Sequence, residues 1–340
     1  MIRHDITTGP FDFEGGGHLP SINVTFHTSP GEYDGSRKVV WICHALTANS
    51  DVEDWWPEMV GSGRLIDTDK YYVVCVNMLG SPYGSSSPAS IDPETGKPYL
   101  LDFPDVTVRD IIAATILVRK HLGINTIDLL IGSSIGGFQA IEWAVTEPSI
   151  FRNAMFIATE PRVSPWLLAS VETQRMALRA DASFLEARDI HGGEEGLKCA
   201  RAIAMVSYRC FQGYSLTQSE TDVDTLFADR AASYERYQGA KLVRRGFDAY
   251  SYNSLSTSVT SNNVGRGRGG VEAALGTIKA STTVVSVDTD GLFPPFYMES
   301  WARFIPGADY RVVSSNFGHD AFLIEIGQFS EIIGGVLSTL

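Results

Sequence analysis

The feature that most restricts the fold is a junction at residues 126–147. There the apolar run TIDLLIG passes without a linker through Gly132-Ser133-Ser134-Ile135-Gly136-Gly137 into the segment FQAIEWAVTE. The run has strand character, and the residues from Ile135 through Glu147 have helical character. A strand that turns so abruptly into a helix needs residues without Cβ, so that the turn can close and the helix can pack near the strand. Such a strand-turn-helix unit belongs in a mostly parallel sheet covered on both faces.

The rest of the chain repeats the theme. INVTFHT (22–28), KVVWICH (38–44), YYVVCVN (71–77) and NAMFIAT (153–159) read as strands, and STTVVSVD (281–288) and DYRVVS (309–314) resume the pattern late in the chain. Thr107 to His121 places Ile111, Ile112, Thr115, Leu117 and Val118 at helical spacing and ends on Arg119, Lys120 and His121, cations that suit a helix C-terminus. A closing helix is expected from about Ala321 to Leu337. Between Ser164 and about Arg245 the sequence is rich in Ala, Leu, Glu, Arg and Met with no strand run, and SLSTSVTSNNVGRGRGG after it reads as a surface loop or hinge. The expected organisation is an α/β core in two parts, 1–163 and 273–340, interrupted by a helical cap at 164–272.

Composition removes several classes of function. With 27 Lys and Arg against 40 Asp and Glu, the net charge of −13 disfavours nucleic-acid binding, which depends on clustered cations neutralising phosphates. The N-terminal stretch lacks the apolar centre of a signal peptide, and no uninterrupted apolar run is long enough for a membrane span, so a soluble, cytoplasmic protein is expected. The four cysteines show no CxxC spacing, and Cys43 and Cys75 end apolar strand runs as buried thiols would. No metal and no permanently bound cofactor are expected.

The junction also carries chemistry. A strained turn between strand and helix lifts the Ser134 hydroxyl clear of the sheet, and the free N–H groups of the helix start favour negative charge beside it. A serine nucleophile needs a base, which proteins of the α/β-hydrolase fold supply in the chain order Ser, Asp or Glu, His. His319, in the loop SSNFGHD after a strand, is the one histidine downstream of every candidate acid. Asp288 and Asp290 both stand at the end of the preceding strand; Asp290, in the turn with Gly291, is preferred as the partner of His319. Two backbone amides should face the developing oxyanion: Ile135, directly after the nucleophile, and Leu46, in the loop after KVVWICH. His44, at a strand end before the nucleophile, reads as a structural, hydrogen-bonded histidine.

Taken in order and spacing, HALTAN, EDWWPEMVGSGRLIDTDKYYVVCVNMLGSPYGSSSP, DPETGKPYLLDFPDVTVRD, GSSIGGFQAIEWA, ARAIAMVSYR, DGLFPP and FGHDAFLIE resemble the homoserine O-acetyltransferase family from about residue 20 to about 330. The resemblance implies an α/β-hydrolase fold and a ping-pong acyl transfer from the co-substrate acetyl-CoA, through an acyl-serine, to the hydroxyl of L-homoserine. It puts the nucleophile at Ser134, the base at His319 and its partner at Asp290. Amino-acid binding falls on Arg201, Tyr208 and Asp320, which suits a ligand carrying a carboxylate and an ammonium. The family also implies a cap that narrows the site to a tunnel and joins two subunits in a homodimer. Ser133, Ile135, Ala48, Pro82 and Ser87 stand where the family more commonly has Gly, Met, Gly, Cys and Gly. These departures spare the triad and bear on the acyl donor.

Coenzyme A is polyanionic, so an acidic protein must meet it with local cations. The sequence offers Arg244, Arg245, Arg266 and Arg268, with Arg266 and Arg268 preferred. Competing readings are a homoserine O-succinyltransferase, a serine O-acyltransferase, a plain serine esterase, or a binding protein that has kept the fold without catalysis.

Overall fold

The computed structural model describes residues 1–340. The central sheet has eight strands: β1 (Ile2–Thr7), β2 (Asn23–Thr28), β3 (Lys38–Cys43), β4 (Tyr71–Val76), β5 (Ile127–Ser133), β6 (Phe151–Ile157), β7 (Ser281–Val287) and β8 (Asp309–Val313). They lie in the order β1-β2-β4-β3-β5-β6-β7-β8. Strand β2 pairs antiparallel with both β1 and β4, and every other neighbouring pair is parallel.

Alternation along each strand feeds two cores. In β3, Val39, Trp41 and Cys43 join one apolar layer while Val40 and Ile42 join the other, and all five are buried. The first layer is covered by α1 (Val108–His121) and α2 (Ile135–Thr146), and the second by the chain's last helix. Helix α1 begins with a reciprocal cap. The Thr107 hydroxyl accepts from the Asp110 N–H at 3.2 Å, and the Asp110 carboxylate accepts from the Thr107 N–H at 2.8 Å.

Between β6 and β7 the chain leaves the sheet for α3 (Pro165–Ala180), α4 (Glu194–Tyr208), α5 (Phe211–Gln218), α6 (Arg230–Arg244) and α7 (Ala249–Thr260). Helix α4 packs against both α3 and α6. Helix α8 (Pro295–Ala302) and helix α9 (Ile326–Leu337) follow β7 and β8. No helix is long and apolar enough to cross a membrane.

The structure departs from the sequence expectations in three places. Strand β1 has no apolar run to betray it; it is an edge strand, mostly solvent-facing, held by its ladder to β2. The stretch SLSTSVTS is not a loop but lies largely within α7, where Ser254, Ser256 and Ser258 are buried. The Thr257 hydroxyl donates to the Asn253 carbonyl at 3.0 Å and the Ser258 hydroxyl to the Leu255 carbonyl at 2.7 Å, whereas the buried Ser254 and Ser256 hydroxyls have no partner in the protein. The closing helix is broken at Glu325 into a short turn, Ala321–Ile324, and α9.

Candidate active site

Ser134 sits between β5 and α2 with φ 57° and ψ −128°, a left-handed φ that a residue with a Cβ adopts only under strain. The surroundings hold it there. Its N–H donates to the Ile157 carbonyl at 3.0 Å, and its own carbonyl accepts from the Thr159 hydroxyl at 2.8 Å. Glycines make the crowding tolerable, since a Cβ on Gly132 would lie 2.2 Å from the Gly136 oxygen and one on Gly136 would lie 2.1 Å from the Cys43 oxygen. Helix α2 is thereby pressed against the end of β3, and the loop after β3 is brought beside the serine.

His319 lies in a helical turn, Gly318–Asp320, after β8, and its Nε2 is 2.9 Å from Ser134 Oγ. Its Nδ1 is 2.9 Å from Asp290 Oδ2, and the other Asp290 oxygen accepts from the N–H groups of Leu292 at 2.8 Å and Phe293 at 3.0 Å. This arrangement suits the neutral tautomer in which Nδ1–H donates to Asp290 and Nε2 accepts from the serine hydroxyl. Burial among Tyr208, Phe293 and Phe322 opposes a charge on His319. The Asp290 charge and hydrogen bond, with help from Asp320, outweigh it and leave the imidazole above its ordinary value. Asp288 braces the scaffold instead, accepting from the Ser314 hydroxyl at 2.7 Å and the Ser315 N–H at 2.9 Å and so tying the end of β7 to the end of β8.

The Leu46 N–H has no hydrogen-bond acceptor within the protein, and the Ile135 N–H is the first of α2, which the helix itself cannot satisfy. Both residues line the space around Ser134. His44 is fully buried; its Nδ1 donates to the Ala45 carbonyl at 2.9 Å and its Nε2 accepts from the Met78 N–H at 3.3 Å. Burial drops its pKa to about 4, against the pull of the Ala45 carbonyl, so it stays neutral and structural.

Two spaces meet at Ser134. The larger, about 360 Å³, is lined by Ser134 and His319 together with Arg201, Tyr208 and Asp320, and extends to Asp54, Trp55, Lys241 and Arg245. The smaller, about 30 Å³, is a mostly apolar chamber with Phe138, Leu167, Val171, Val259, Leu292 and Phe293 among its walls. Arg201 and Tyr208 stand two turns apart on α4, with the guanidinium 5.4 Å from the centre of the tyrosine ring. Asp320 forms an ion pair at 2.8 Å with Arg209, the last residue of ARAIAMVSYR, which has no role assigned from sequence.

Arg266 and Arg268 are elsewhere. Arg266 grips Glu14 through two bonds of 2.8 Å, and Arg268 grips the buried Glu142 at 2.6 and 2.8 Å. Neither lines the cavity at Ser134, where Lys241 and Arg245 supply the cations instead. Lys241 is not recognisable from sequence because its helical spacing from Gln238 and Arg245 does not say which face of α6 turns inward. No three His, Cys, Asp or Glu side chains converge as a metal site.

Comparison with known proteins bears on the fold and the family. The family model for the alpha/beta hydrolase fold matches residues 38–325. A curated homoserine O-acetyltransferase from Cyclobacterium marinum is 41% identical over 321 residues, covering 94% of this chain and 90% of that protein. Among solved structures, a homoserine O-acetyltransferase from Bacillus anthracis superimposes with a TM-score of 0.87 at 23% identity, over 99% of this chain and 97% of that one. Esterase E22 superimposes equally well, with a TM-score of 0.87 at 23% identity and 99% of each chain covered. At such identity the two structures speak for the fold, while the sequence relative speaks for the family. The chain is a member of the homoserine O-acetyltransferase family within the α/β-hydrolase superfamily.

Proposed function

We propose that this protein transfers the acetyl group of acetyl-CoA to L-homoserine, giving O-acetyl-L-homoserine, a precursor of methionine, and that it works in the cytoplasm. The observation that carries the reading is one cavity in which the Ser134 hydroxyl, hydrogen-bonded to His319, shares walls with an arginine and an aspartate suited to an amino acid. In the first half-reaction Ser134 Oγ bonds to the thioester carbonyl carbon as its proton passes to His319 Nε2. Charge then develops on the carbonyl oxygen, within reach of the Leu46 and Ile135 N–H groups. The carbon–sulfur bond breaks, the thiolate takes the proton from His319, and the acetyl group stays on the serine. In the second half the homoserine hydroxyl gives its proton to His319 and attacks the acetyl carbon. The serine oxygen leaves and recovers the proton. Asp290 holds the imidazole in orientation and stabilises its charged form throughout.

Arg201 would take the homoserine carboxylate, and Asp320, shared with Arg209, its ammonium. The small chamber favours acetyl over succinyl. Its volume suits a methyl group, and no cation lines it to compensate a buried carboxylate. The helices within 164–272 act in this reading as a cap that keeps water from the acyl-enzyme. Phe211, Val223, Leu226 and Phe227 are each exposed in that segment, a cost that a second copy of the chain would relieve by forming a homodimer.

The test is thiol release from acetyl-CoA with L-homoserine, L-serine or water as acceptor, repeated with succinyl-CoA. Release that depends on homoserine and on the acetyl donor is expected. Release unaffected by homoserine would leave an esterase, and preference for succinyl-CoA would overturn the account of the acyl chamber.

A further inference from the structure

We infer that Lys241 and Arg245, with Asp54 as counter-charge, form the site that receives the phosphates of the coenzyme A donor. The inference rests on the acetyl-CoA reading above. The cavity that has Ser134 in its wall is also lined by Gln238, Lys241, Leu242 and Arg245. Those positions are spaced i, i+3, i+4 and i+7, a single stripe along α6 and its C-terminal cap, so one helix face turns toward the cavity and its polar members include two cations. Cations near a helix C-terminus complement its dipole, which accounts for their being at that end of α6. It does not account for their lying on the face that looks into the cavity.

The pairing of these cations separates them from Arg266 and Arg268. Lys241 takes part in no salt bridge, while Arg245 is held by Asp54, which lines the same cavity. Arg266 and Arg268 are each spent on a glutamate elsewhere, and Arg268 neutralises a carboxylate that is almost fully buried. A protein of net charge −13 repels a ligand with three phosphate groups unless free positive charge waits where the ligand lies. Lys241 is such a charge. Arg245 becomes one when it exchanges the Asp54 carboxylate for a phosphate, which it can hold by two parallel bonds. The thioester end then points along the cavity toward Ser134.

The experiment is calorimetric binding of free coenzyme A and of pantetheine, which lacks the phosphates, to the full-length protein. Lys241→Gln and Arg245→Gln should each weaken coenzyme A about 10-fold, the size of one lost charge-assisted bond, and leave pantetheine unchanged. Asp54→Asn should tighten coenzyme A several-fold, because Arg245 is released; an ion pair with only a structural role would not give that sign. Arg266→Gln should leave coenzyme A affinity as it was. Unchanged coenzyme A affinity in both cation variants, or an equal loss for pantetheine, overturns the assignment, as does failure of the unaltered protein to bind coenzyme A. Binding is read without turnover, so loss of coenzyme A affinity in the variants beside absent homoserine-dependent thiol release would sink the transferase reading and leave this site standing.

Discussion

Asp290 spends one carboxylate oxygen on His319 and the other on two backbone N–H groups, so its geometry is fixed before any substrate arrives. Asp290→Asn should keep the fold and lower kcat by about 10⁴-fold, as loss of the orienting carboxylate does in serine triads. A charged His319 cannot accept the serine proton, so kcat/KM should fall as pH drops through its raised pKa. In Asp290→Asn that limb should move to lower pH, since the charge that raised the imidazole is gone. A limb that stays in place would mean another group sets the profile. Glu160 titrates with the opposite sense for stability. It is fully buried, one of its oxygens has no hydrogen-bond partner, and burial lifts its carboxyl from 4.5 to about 7 despite the bond from the Ser164 N–H. The folded state therefore holds the proton more tightly than the unfolded chain, and stability is lost as pH rises between those values, by up to ~3 kcal/mol. Glu160→Gln should raise the melting temperature at pH 8 and hardly change it at pH 5. At this scale the sequence was legible wherever a role follows from neighbours in the chain. Ser134 announces itself by its flanking glycines, and Asp290 by its turn. Arg266 and Arg268 did not, because their partners Glu14 and Glu142 stand far away in sequence and only folding brings them together.

The contact between α2 and the end of β3 sets how far the Leu46 loop stands from Ser134, and Gly136 is the spacer. A methyl group there would meet the Cys43 carbonyl oxygen and force helix and strand apart. Gly136→Ala should cost on the order of 1–3 kcal/mol of stability, as overpacking does, and lower kcat more than it raises KM. An alanine variant with native kcat would show that the spacing has slack. The elements that sequence patterning located were those whose pattern and burial agree. Strands β3 and β4 carry apolar side chains toward both layers and read as unbroken runs, whereas β1 is a solvent-facing edge whose order comes from its neighbour. Helix α7 defeated the pattern from the other side: its serines and threonines look like loop residues, yet they are helical, with Thr257, Ser258 and Thr260 donating to the helix's own carbonyls and Ser254 and Ser256 buried without a partner.

For the whole molecule, the exposed apolar residues of the cap are the surface most at odds with a solitary chain. Phe227 is 83% exposed and Val223 97% exposed. If a second copy covers them, Phe211→Glu combined with Phe227→Glu should yield a monomer by sedimentation, while the parent sediments as a dimer. A parent that is already monomeric would refute the pairing. The cavity at Ser134 has a kinetic consequence of its own. On the assignments proposed above, the groups for the amino acid and those for the coenzyme share one space of about 360 Å³. Two such ligands compete for the resting enzyme rather than occupying it side by side. Excess homoserine should then act as a competitive inhibitor toward acetyl-CoA, and coenzyme A that lingers should block the acceptor. In such an enzyme the order of traffic is set by crowding in a shared room, with no moving gate required to enforce it.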